Sequence, residues 1–433
     1  MTTPLSWNRL PDISPDAICS LTCRATAIPD TFPRPLLPYG NGRSYGDVCL
    51  TDKGTLLITR GLDRFIEFDR KQGRLRCEAG MTLREILALV VPQGWFLAST
   101  PGTQLATVGG AVANDVHGKN HHDSGCFGHH VKALELWRSN GEVIHCSSER
   151  NPDWFYATIG GLGLTGLIRW VDIQLKPILN PWIWVQSQRF ANLGEFWTLN
   201  REAEANWPYT VAWIDCLAKG KSRGRGILLA GAHAPAQSQS LNYRSRDKRM
   251  LIDPPFSMVN HFSLKAFNAL YYRQPVKPQG TLVHYAPYFY PLDAIQNWNR
   301  IYGKKGFYQY QCVIPPENAE AAVTDLLDTI AQYGDGSFLA VLKNFGIKPS
   351  VGMLSFPRPG TTLALDFPNR GSRTLKLLSA LDDVVRAAGG ALYPAKDARM
   401  PADLFQSGYP VWQEFSKFVD PQFSSSFWRR VTV

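Results

Sequence analysis

Long apolar runs are absent from this chain of 433 residues, and only 19% of its residues are charged. Charged residues or prolines interrupt every apolar stretch well short of the roughly 20 residues that a membrane helix needs. The N-terminus also lacks the basic segment and apolar run that together are typical of a signal peptide. We therefore expect a cytoplasmic protein that can meet the inner face of a membrane only peripherally.

Cysteines at metal-binding spacing and nucleic-acid motifs are missing as well. The eight cysteines are scattered, so reduced thiols are expected rather than disulfides. Basic residues exceed acidic ones by 46 − 36 = 10, which favours an anionic ligand or an acidic membrane surface. No zinc-finger spacing or RNA-binding aromatic motif accompanies this charge, so nucleic acid is not the predicted partner.

The pattern after residue 306 predicts an ordered α+β unit. Apolar periodicity predicts a strand at 307–314, a helix at 317–333, strands at 338–343 and 361–367, a helix at 374–388 and a strand at 391–395. This series indicates a split βαβ arrangement on an antiparallel sheet. At roughly 100–200 residues per domain, it supports a second domain. The basic insertion at 236–255 has no period, so we interpret it as a mobile loop that could rim a pocket or touch anionic lipid.

The segment 101–135 combines glycines with polar and imidazole side chains. Glycines let the backbone approach a bulky ligand, and polar donors suit an anionic partner, so we interpret the segment as a cofactor cradle. Its imidazoles could also bind a metal, but metal sites usually add Cys, Asp or Glu at ligand spacing, and only Cys126 lies near. An organic cofactor is therefore favoured. The imidazoles beyond His117 are His121, His122, His129 and His130.

Two further glycine-rich stretches lie in the first 170 residues. Residues 36–46 read LLPYGNGRSYG, a spacing that permits positive φ and lets N–H groups converge on phosphate oxygens, although a tight surface loop has the same composition. Residues 161–166 match a dinucleotide fingerprint only superficially, because a helix is predicted before them and no acidic residue follows about twenty positions on. They are interpreted as another edge of the same cleft.

Five motifs in order along nearly the whole chain carry a family resemblance. They are PYGNGRSYGD (38–47), PGTQLATVGGAVANDVHGKNHH (101–122), GGLGLTG (160–166), YQYQCVIP (308–315) and YPAKDARM (393–400). Together they resemble the FAD-binding oxidoreductases of the vanillyl-alcohol oxidase superfamily. Within it, the chain is most similar to the decaprenylphosphoryl-ribose 2′-oxidase branch, and HGKNHH and GNGRSYGD are the specific signals.

The resemblance implies a two-domain fold of the vanillyl-alcohol oxidase type. The FAD-binding domain would comprise 1–181 and 391–433, and an antiparallel-sheet substrate domain would comprise 182–390. Many relatives attach the flavin covalently through a histidine at the place of Arg43, so the departure implies non-covalent FAD. The implied FAD contacts are Gly40, Asn41, Gly42, Arg43, Ser44, Tyr45, Pro101, Gly102, Thr103, Thr107, Gly109, Gly110, Asn114, His117, Gly118, Asn120, Gly161, Gly166, Ile168 and Tyr393.

Oxidising a secondary alcohol requires hydride to leave carbon for the flavin while a base takes the hydroxyl proton. Lys396 is the predicted catalytic residue, with Tyr45, His117 and Gln311 beside it. On spacing alone, however, a lysine next to an aspartate is more often a solvated pair, and a lysine base needs its pKa lowered by burial. Lys119 and Lys343 suit a phosphate. The predicted substrate contacts are Lys119, Gln309, Gln311, Lys343, Phe345 and Phe289.

The resemblance implies oxidation of the ribose 2′-hydroxyl of a polyprenyl-phosphate ribose to the 2-keto sugar. This is the first half of an epimerisation to the arabinose donor of cell-wall arabinan, which a separate NAD(P)H-dependent short-chain reductase completes. The chain departs from that branch at 362–364, where Thr-Leu-Ala replaces polar and thiol side chains, so the sugar or the polyprenol can differ. The alternatives are a sugar-alcohol or aldonolactone oxidase and a non-catalytic flavoprotein subunit of a reductase complex.

Overall fold

The computed structural model describes residues 4–26, 28–236, 243 and 248–433. The strands are β1 (Ala17–Ser20), β2 (Leu36–Tyr39), β3 (Thr55–Ile58), β4 (Phe65–Asp69), β5 (Arg74–Glu78), β6 (Trp95–Leu97), β7 (Val131–Trp137), β8 (Val143–Cys146), β9 (Leu167–Pro177), β10 (Trp182–Phe190), β11 (Tyr209–Ile214), β12 (Gly226–His233), β13 (Lys248–Arg249), β14 (Thr281–His284), β15 (Ile295–Gln296), β16 (Phe307–Ile314), β17 (Val341–Phe345), β18 (Gly360–Pro368) and β19 (Ala391–Leu392). The helices are α1 (Leu83–Val90), α2 (Val108–Ala113), α3 (His121–Ser124), α4 (Pro152–Thr158), α5 (Leu193–Asn206), α6 (His261–Arg273), α7 (Tyr285–Phe289), α8 (Ala319–Tyr333), α9 (Ser372–Ala387), α10 (Ala402–Gly408), α11 (Trp412–Ser416) and α12 (Ser426–Val431).

Two sheets carry the glycine-rich segments. A three-stranded parallel sheet has the order β1-β3-β2, and a six-stranded sheet runs β4-β5-β9-β7-β8 with β6 also paired to β9. Helix α1 begins with a capping box between Thr82 and Glu85, which satisfies N–H groups that a first helical turn leaves unbonded. Its apolar stripe is buried in the same core as β5 and β9.

An eight-stranded sheet of order β14-β10-β12-β11-β17-β18-β16-β19 forms the other large layer. Its last half is the series β16-α8-β17-β18-α9-β19, with every neighbouring pair antiparallel, so the predicted split βαβ arrangement is confirmed. Helix α8 buries Val323, Leu326, Leu327 and Ile330 and ends at Gly334, whose φ is 69°. Such a left-handed end favours glycine because it has no Cβ.

Two predicted strands have different bounds in the structure. The strand predicted at 338–343 begins only at Val341, since Phe338 directs its carbonyl to the Trp213 indole N–H at 2.9 Å. The strand predicted at 391–395 ends at Leu392, because Pro394 has no N–H to donate to the ladder and opens a 3₁₀ turn that contains Lys396. This turn places Lys396 at the edge of the sheet.

The C-terminal segment returns to the N-terminal sheet. The Leu36 N–H donates to the Gln422 carbonyl at 2.6 Å, and the Arg430 guanidinium pairs with Asp47 at 2.7 Å. Leu37, Leu365 and Phe427 share one continuous core. Strand β19 nevertheless pairs with β16, so the chain crosses from the eight-stranded sheet to the N-terminal part just after residue 392.

Half of the basic insertion at 236–255, residues 237–242 and 244–247, lies outside the described residues. Where it is described, Lys248–Arg249 form a short parallel pairing with Ile295–Gln296. The interpretation of the insertion as a mobile loop did not include this pairing, because a two-residue strand cannot be recognised by periodicity. Over the ranges that the structure covers, no helix combines the length and the apolar character needed to cross a membrane.

Candidate active site

A large cavity of about 690 Å³ lies between the glycine-rich segments and the eight-stranded sheet. Residues 40–45 and 100–119 form one wall, and β11, β16, β17 and β18 contribute side chains to the opposite wall. The segment from Tyr393 to Lys396 lies at one side. The cavity therefore collects the sequence motifs that lie far apart in the chain.

The first glycine turn is shaped by close backbone contacts. Gly42 has a φ of 58°, and a Cβ there would lie 2.2 Å from the Tyr39 hydroxyl. A Cβ at Gly40 would lie 2.4 Å from Thr107 Oγ1. The Tyr45 N–H donates to the Ala395 carbonyl at 2.8 Å, so this turn is joined both to the second glycine segment and to the C-terminal lysine segment.

The second glycine segment is held against the first. The Asn41 side-chain amide donates to the Leu105 carbonyl at 2.8 Å. Thr107 caps α2 by accepting the Gly110 N–H at 3.2 Å, and the Gly109 N–H donates to the Ala79 carbonyl at 2.8 Å. The two loops that the sequence separates by about sixty residues thus form one continuous surface.

A buried carboxylate orders the polar part of this segment. Asp115 is fully buried and has a φ of 38°. It accepts the Gly128 N–H at 2.7 Å, the Ser355 hydroxyl at 2.6 Å and the Cys126 thiol at 2.9 Å. The bonds bring residues 126–128 and Ser355 against the loop that carries His117.

His117, Lys343 and Gln311 form a chain of polar contacts on the cavity wall. The Lys343 ammonium donates to His117 Nδ1 at 2.9 Å and to the Gly118 carbonyl at 2.6 Å. His117 Nε2 lies 3.2 Å from the Gln311 side-chain amide. When Nδ1 accepts from Lys343, Nε2 bears the ring proton. The Gln311 atom that faces Nε2 is the amide nitrogen, which also donates to the Thr362 hydroxyl at 3.1 Å, so a hydrogen bond from Nε2–H needs the Gln311 amide turned over.

Burial sets the ionisation of this group. It lowers the pKa of His117 well below its ordinary value, and the Lys343 charge lowers it further. It also lowers the pKa of Lys343 to about 7, with Lys119 acting in the same direction. His117 is therefore neutral near pH 7, and a proton on this cluster resides on lysine.

Lys396 lies over the Tyr45 ring, with Nζ 3.8 Å from the ring centroid. Its side chain reaches the cavity but is screened from bulk water by the surrounding protein, and this burial lowers the pKa of Lys396, although the Asp366 carboxylate raises it. Burial has the opposite effect on a carboxyl group, and it raises the pKa of Asp366. Asp397 bonds instead to Arg430 and to the Met400 N–H. The alternative of a solvated Lys396–Asp397 pair is therefore wrong.

Lys119 lies across the cavity wall near α7. Its ammonium donates to the Tyr288 carbonyl and lies 4.2 Å from the centroid of the Tyr288 ring. Burial lowers the pKa of Lys119 to about 7. An anion bound beside Lys119 and Lys343 would stabilise their charged forms.

The four other imidazoles of segment 101–135 bond to the backbone. His122, His129 and His130 contact the carbonyls of Trp207, Pro349 and Ser124 at 2.8, 2.9 and 3.0 Å, and His121 accepts the Gly346 N–H at 3.2 Å. In the part of the chain that the structure describes, no group of three or more His, Cys, Asp or Glu side chains could hold a metal.

Most of the predicted site residues line the cavity, and three do not. Asn120 is buried and donates to the Ala98 carbonyl at 2.7 Å. Gly161 backs onto α4, where a Cβ would lie 2.2 Å from the Ala157 carbonyl. Phe345 packs behind His117 with ring centroids 4.8 Å apart. Those on the wall are Gly40, Asn41, Gly42, Arg43, Ser44, Tyr45, Pro101, Gly102, Thr103, Thr107, Gly109, Gly110, Asn114, His117, Gly118, Lys119, Gly166, Ile168, Phe289, Gln309, Gln311, Lys343, Tyr393 and Lys396.

Several wall residues escaped the sequence reasoning. Asp366 lies directly opposite Gln309 in the β16–β18 pairing, so the alternation along β18 could have indicated it. Nothing in the sequence pointed to Asp293, which accepts the Thr103 hydroxyl at 2.8 Å. The other wall residues that were not predicted are aromatic or basic: Trp7, Arg84, Trp213, Tyr271 and Trp298.

The wall fits a large, electron-rich group such as FAD. Among the described residues, Arg43 Nε, Asn114 Oδ1, Gln309 Oε1 and Asp366 Oδ1 are buried without a hydrogen-bond partner, as expected where a ligand supplies it. A Cβ at Gly102 would meet no protein atom within 4 Å, so the wall is open there.

Comparison with known proteins agrees with this fit. Residues 24–147 match the model of an FAD-binding domain family. The chain is 33% identical over 447 residues to the decaprenylphosphoryl-beta-D-ribose oxidase of Mycolicibacterium smegmatis, covering all of this chain and 96% of that protein. It is 30% identical over 140 residues to mouse L-gulonolactone oxidase, covering 32% of this chain and 31% of that protein. Human Delta(24)-sterol reductase matches at 30% over 112 residues, covering 26% and 22%.

The fold, the cavity and the matched domain define an FAD-dependent oxidoreductase that acts on a hydroxyl group. The full-length similarity goes further, since the other two matches cover only 32% and 26% of this chain. The chain belongs to the decaprenylphosphoryl-beta-D-ribose oxidase family.

Proposed function

We propose that this enzyme oxidises the 2′-hydroxyl of a polyprenyl-phosphate ribose to the 2-keto sugar. The observation that carries the proposal is the convergence of Lys396, Tyr45, His117 and Gln311 on one cavity that also receives both glycine loops. The full-length relative is named as an oxidase of a ribose on a decaprenyl phosphate. We propose a substrate of the same class. Ala364 lies on the cavity wall in the segment where this chain departs from that branch, so the sugar or the lipid can differ.

In this reaction each polar side chain of the cavity has a role. FAD, when bound, supplies the acceptor for the hydride that leaves the carbinol carbon. The neutral amine of Lys396, favoured by its lowered pKa, takes the hydroxyl proton. His117 and Gln311 orient the sugar by hydrogen bonds. Lys119 and Lys343 hold the phosphate, whose charge stabilises their ammonium forms.

We propose that FAD is held without a covalent bond. Arg43 stands in the first glycine turn and lies 4.1 Å from the Trp7 ring centroid, where its unpartnered Nε can meet a phosphate oxygen. Acid precipitation of the purified protein should leave the yellow flavin in the supernatant. Flavin that stays in the pellet would refute this assignment.

We propose two domains, with residues 1–181 and 391–433 binding FAD and residues 182–390 binding the substrate. Support comes from strand β10, which begins the eight-stranded sheet at Trp182, and from the contacts of residues 422 and 430 with the N-terminal part. Strand β19 is the crossing between the two.

The product, a ketone on a lipid-linked sugar, needs a hydride donor to complete the epimerisation. We propose an NAD(P)H-dependent short-chain reductase as the partner and a membrane surface as the place where both meet the lipid. A coupled assay with such a reductase should convert ribose to arabinose on the lipid, whereas each protein alone should not.

The decisive experiment is anaerobic flavin bleaching. A prenyl-phosphoryl ribose should bleach the visible flavin absorbance of the purified protein, whereas free ribose should not. A free polyol or an aldonolactone that gives rapid peroxide in air would instead favour the alternative oxidase, to which the partial similarity to L-gulonolactone oxidase points. Unchanged cellular function of Lys396→Ala would favour a non-catalytic subunit.

A further inference from the structure

The outer face of α6 exposes large apolar side chains beside cations. Phe262 is 84% exposed and Leu270 is 73% exposed, and Lys265, Ala266 and Arg273 are exposed on the same face. We call these five residues the outer α6 face. Residues three or four apart share one side of a helix, so this face is continuous along the helix, while Leu264 and Asn268 on the other side are buried.

The segment that leads into α6 is exposed and apolar as well. Leu251, Ile252 and Phe256 are 74, 75 and 75% exposed, and strand β13 adds the exposed cations Lys248 and Arg249. Soluble monomers rarely leave so many large apolar groups together in water. The surface therefore has the composition of a site that meets another apolar phase.

The charge on this surface has one sign. Between residues 248 and 277 the cations are Lys248, Arg249, Lys265, Arg273 and Lys277, against the single acid Asp253. Asp253 is already paired with Arg9 at 2.7 Å. Apolar groups flanked by lysine and arginine are typical of helices that lie on anionic bilayers.

The surface adjoins residues that line the cavity. Tyr271, on the inner side of α6, packs on Trp213 with ring centroids 4.5 Å apart, and both line the cavity. Strand β13 pairs with Ile295–Gln296, which line it too. A lipid-linked ligand could thus keep its tail in a bilayer under α6 while its sugar enters the cavity.

We propose that the outer α6 face and residues 251–256 bind the surface of an anionic bilayer. The use of this surface in catalysis rests on the proposed lipid-linked substrate, whereas the binding itself does not. A second copy of the chain would have to meet the same row of cations, which like-charge repulsion disfavours. Anionic headgroups complement it.

The test is flotation of the FAD-loaded full chain with vesicles of phosphatidylcholine alone or mixed equally with phosphatidylglycerol. The wild type should float with the mixed vesicles only, and added salt should weaken binding. Phe262→Ser with Leu270→Ser should reduce the bound fraction by at least about tenfold, since two exposed apolar side chains that insert into the bilayer are lost. The matched control is Leu179→Ser, because Leu179 is 78% exposed in the turn between β9 and β10.

Flavin absorbance and turnover of a short-chain, water-soluble substrate show that the double variant is folded. Equal flotation of the double variant and the wild type, or no flotation of the wild type with the mixed vesicles, would refute the surface. A wild-type dimer without lipid that the double variant converts to a monomer would assign the face to a second copy instead. Flotation without turnover of any prenyl-phosphoryl ribose would support the surface and refute the proposed substrate.

Discussion

Lys343 Nζ lies 2.9 Å from His117 Nδ1 and ties the polar loop to the middle of the eight-stranded sheet. The lysine is buried, and its pKa is lowered from 10.5 to about 7. Burying an ammonium group at this position destabilises the fold. It also fixes the proton of His117 on the nitrogen that faces Gln311, which is its role in the site.

The stability of Lys343→Met should differ from wild type in a pH-dependent way. The folded-state pKa of Lys343 is about 7 and the unfolded one about 10.4, so the unfolded chain binds more protons between these values. The destabilisation by Lys343 is complete below pH 7 and fades as the pH rises toward 10.4. Urea unfolding at pH 6 and pH 9 should show the variant losing about 3 kcal/mol relative to wild type over that interval. A constant difference would contradict the assignment.

Lys396→Ala should lower the rate of flavin reduction by roughly 10²–10⁴-fold, the range expected for loss of a general base. FAD absorbance should persist, because the substitution leaves in place the backbone of the two glycine segments and the Asn41–Leu105 hydrogen bond between them. Stopped-flow reduction without oxygen measures the effect directly. Lys417→Ala is the control, since Lys417 is exposed and paired only with Glu414. Equal reduction rates in wild type and Lys396→Ala would remove Lys396 from the chemistry.

Asp366→Asn should move the pH profile of the reaction downward. The rate of flavin reduction should rise with pH as Lys396 loses its proton, with a midpoint near 8 in the wild type. The Asp366 carboxylate raises the pKa of Lys396, so its removal should shift the midpoint below that value. Asp383→Asn alters an exposed carboxylate on α9 and should leave the profile in place. A midpoint that moves upward would show that the charge acts in another way.

Short-range signals in the sequence anticipated much of this architecture. The strand and helix order after residue 306 follows from apolar periods, and the glycine turn at 40–46 needs residues without a Cβ. The pairing of Gln309 with Asp366 is different, because it depends on the register between two strands more than fifty residues apart. The hydrogen bond from Thr103 to Asp293 joins the second glycine segment to the residues that follow α7. No local sequence pattern predicts a contact between residues so far apart in the chain.

Gly102→Ala should weaken FAD binding without affecting folding. Gly102 lines the cavity and a Cβ there meets no protein atom within 4 Å, so the added methyl takes up open space at the wall that we assign to the cofactor. We expect the FAD dissociation constant to rise about tenfold, equivalent to roughly 1.4 kcal/mol, as measured by flavin fluorescence titration of the apoprotein. Gly194→Ala in α5, where a Cβ meets only Asn192 Oδ1 at 3.2 Å, should leave FAD affinity unchanged. Unaltered affinity in Gly102→Ala would place the cofactor elsewhere.

Asp115→Asn should destabilise the protein and loosen the loop that carries His117. The carboxylate accepts three hydrogen bonds, from the Gly128 N–H, the Ser355 hydroxyl and the Cys126 thiol, and an amide can present an acceptor on one side only. A buried donor left without its acceptor costs about 1–3 kcal/mol, which urea unfolding would detect. The control Asp123→Asn alters an exposed carboxylate that bonds only its neighbour Ser124 and should stay within about 0.5 kcal/mol of wild type. Because Asn114 and His117 flank this site, the FAD affinity of Asp115→Asn should fall as well. Full stability with normal FAD affinity would show that the three bonds do not hold the loop.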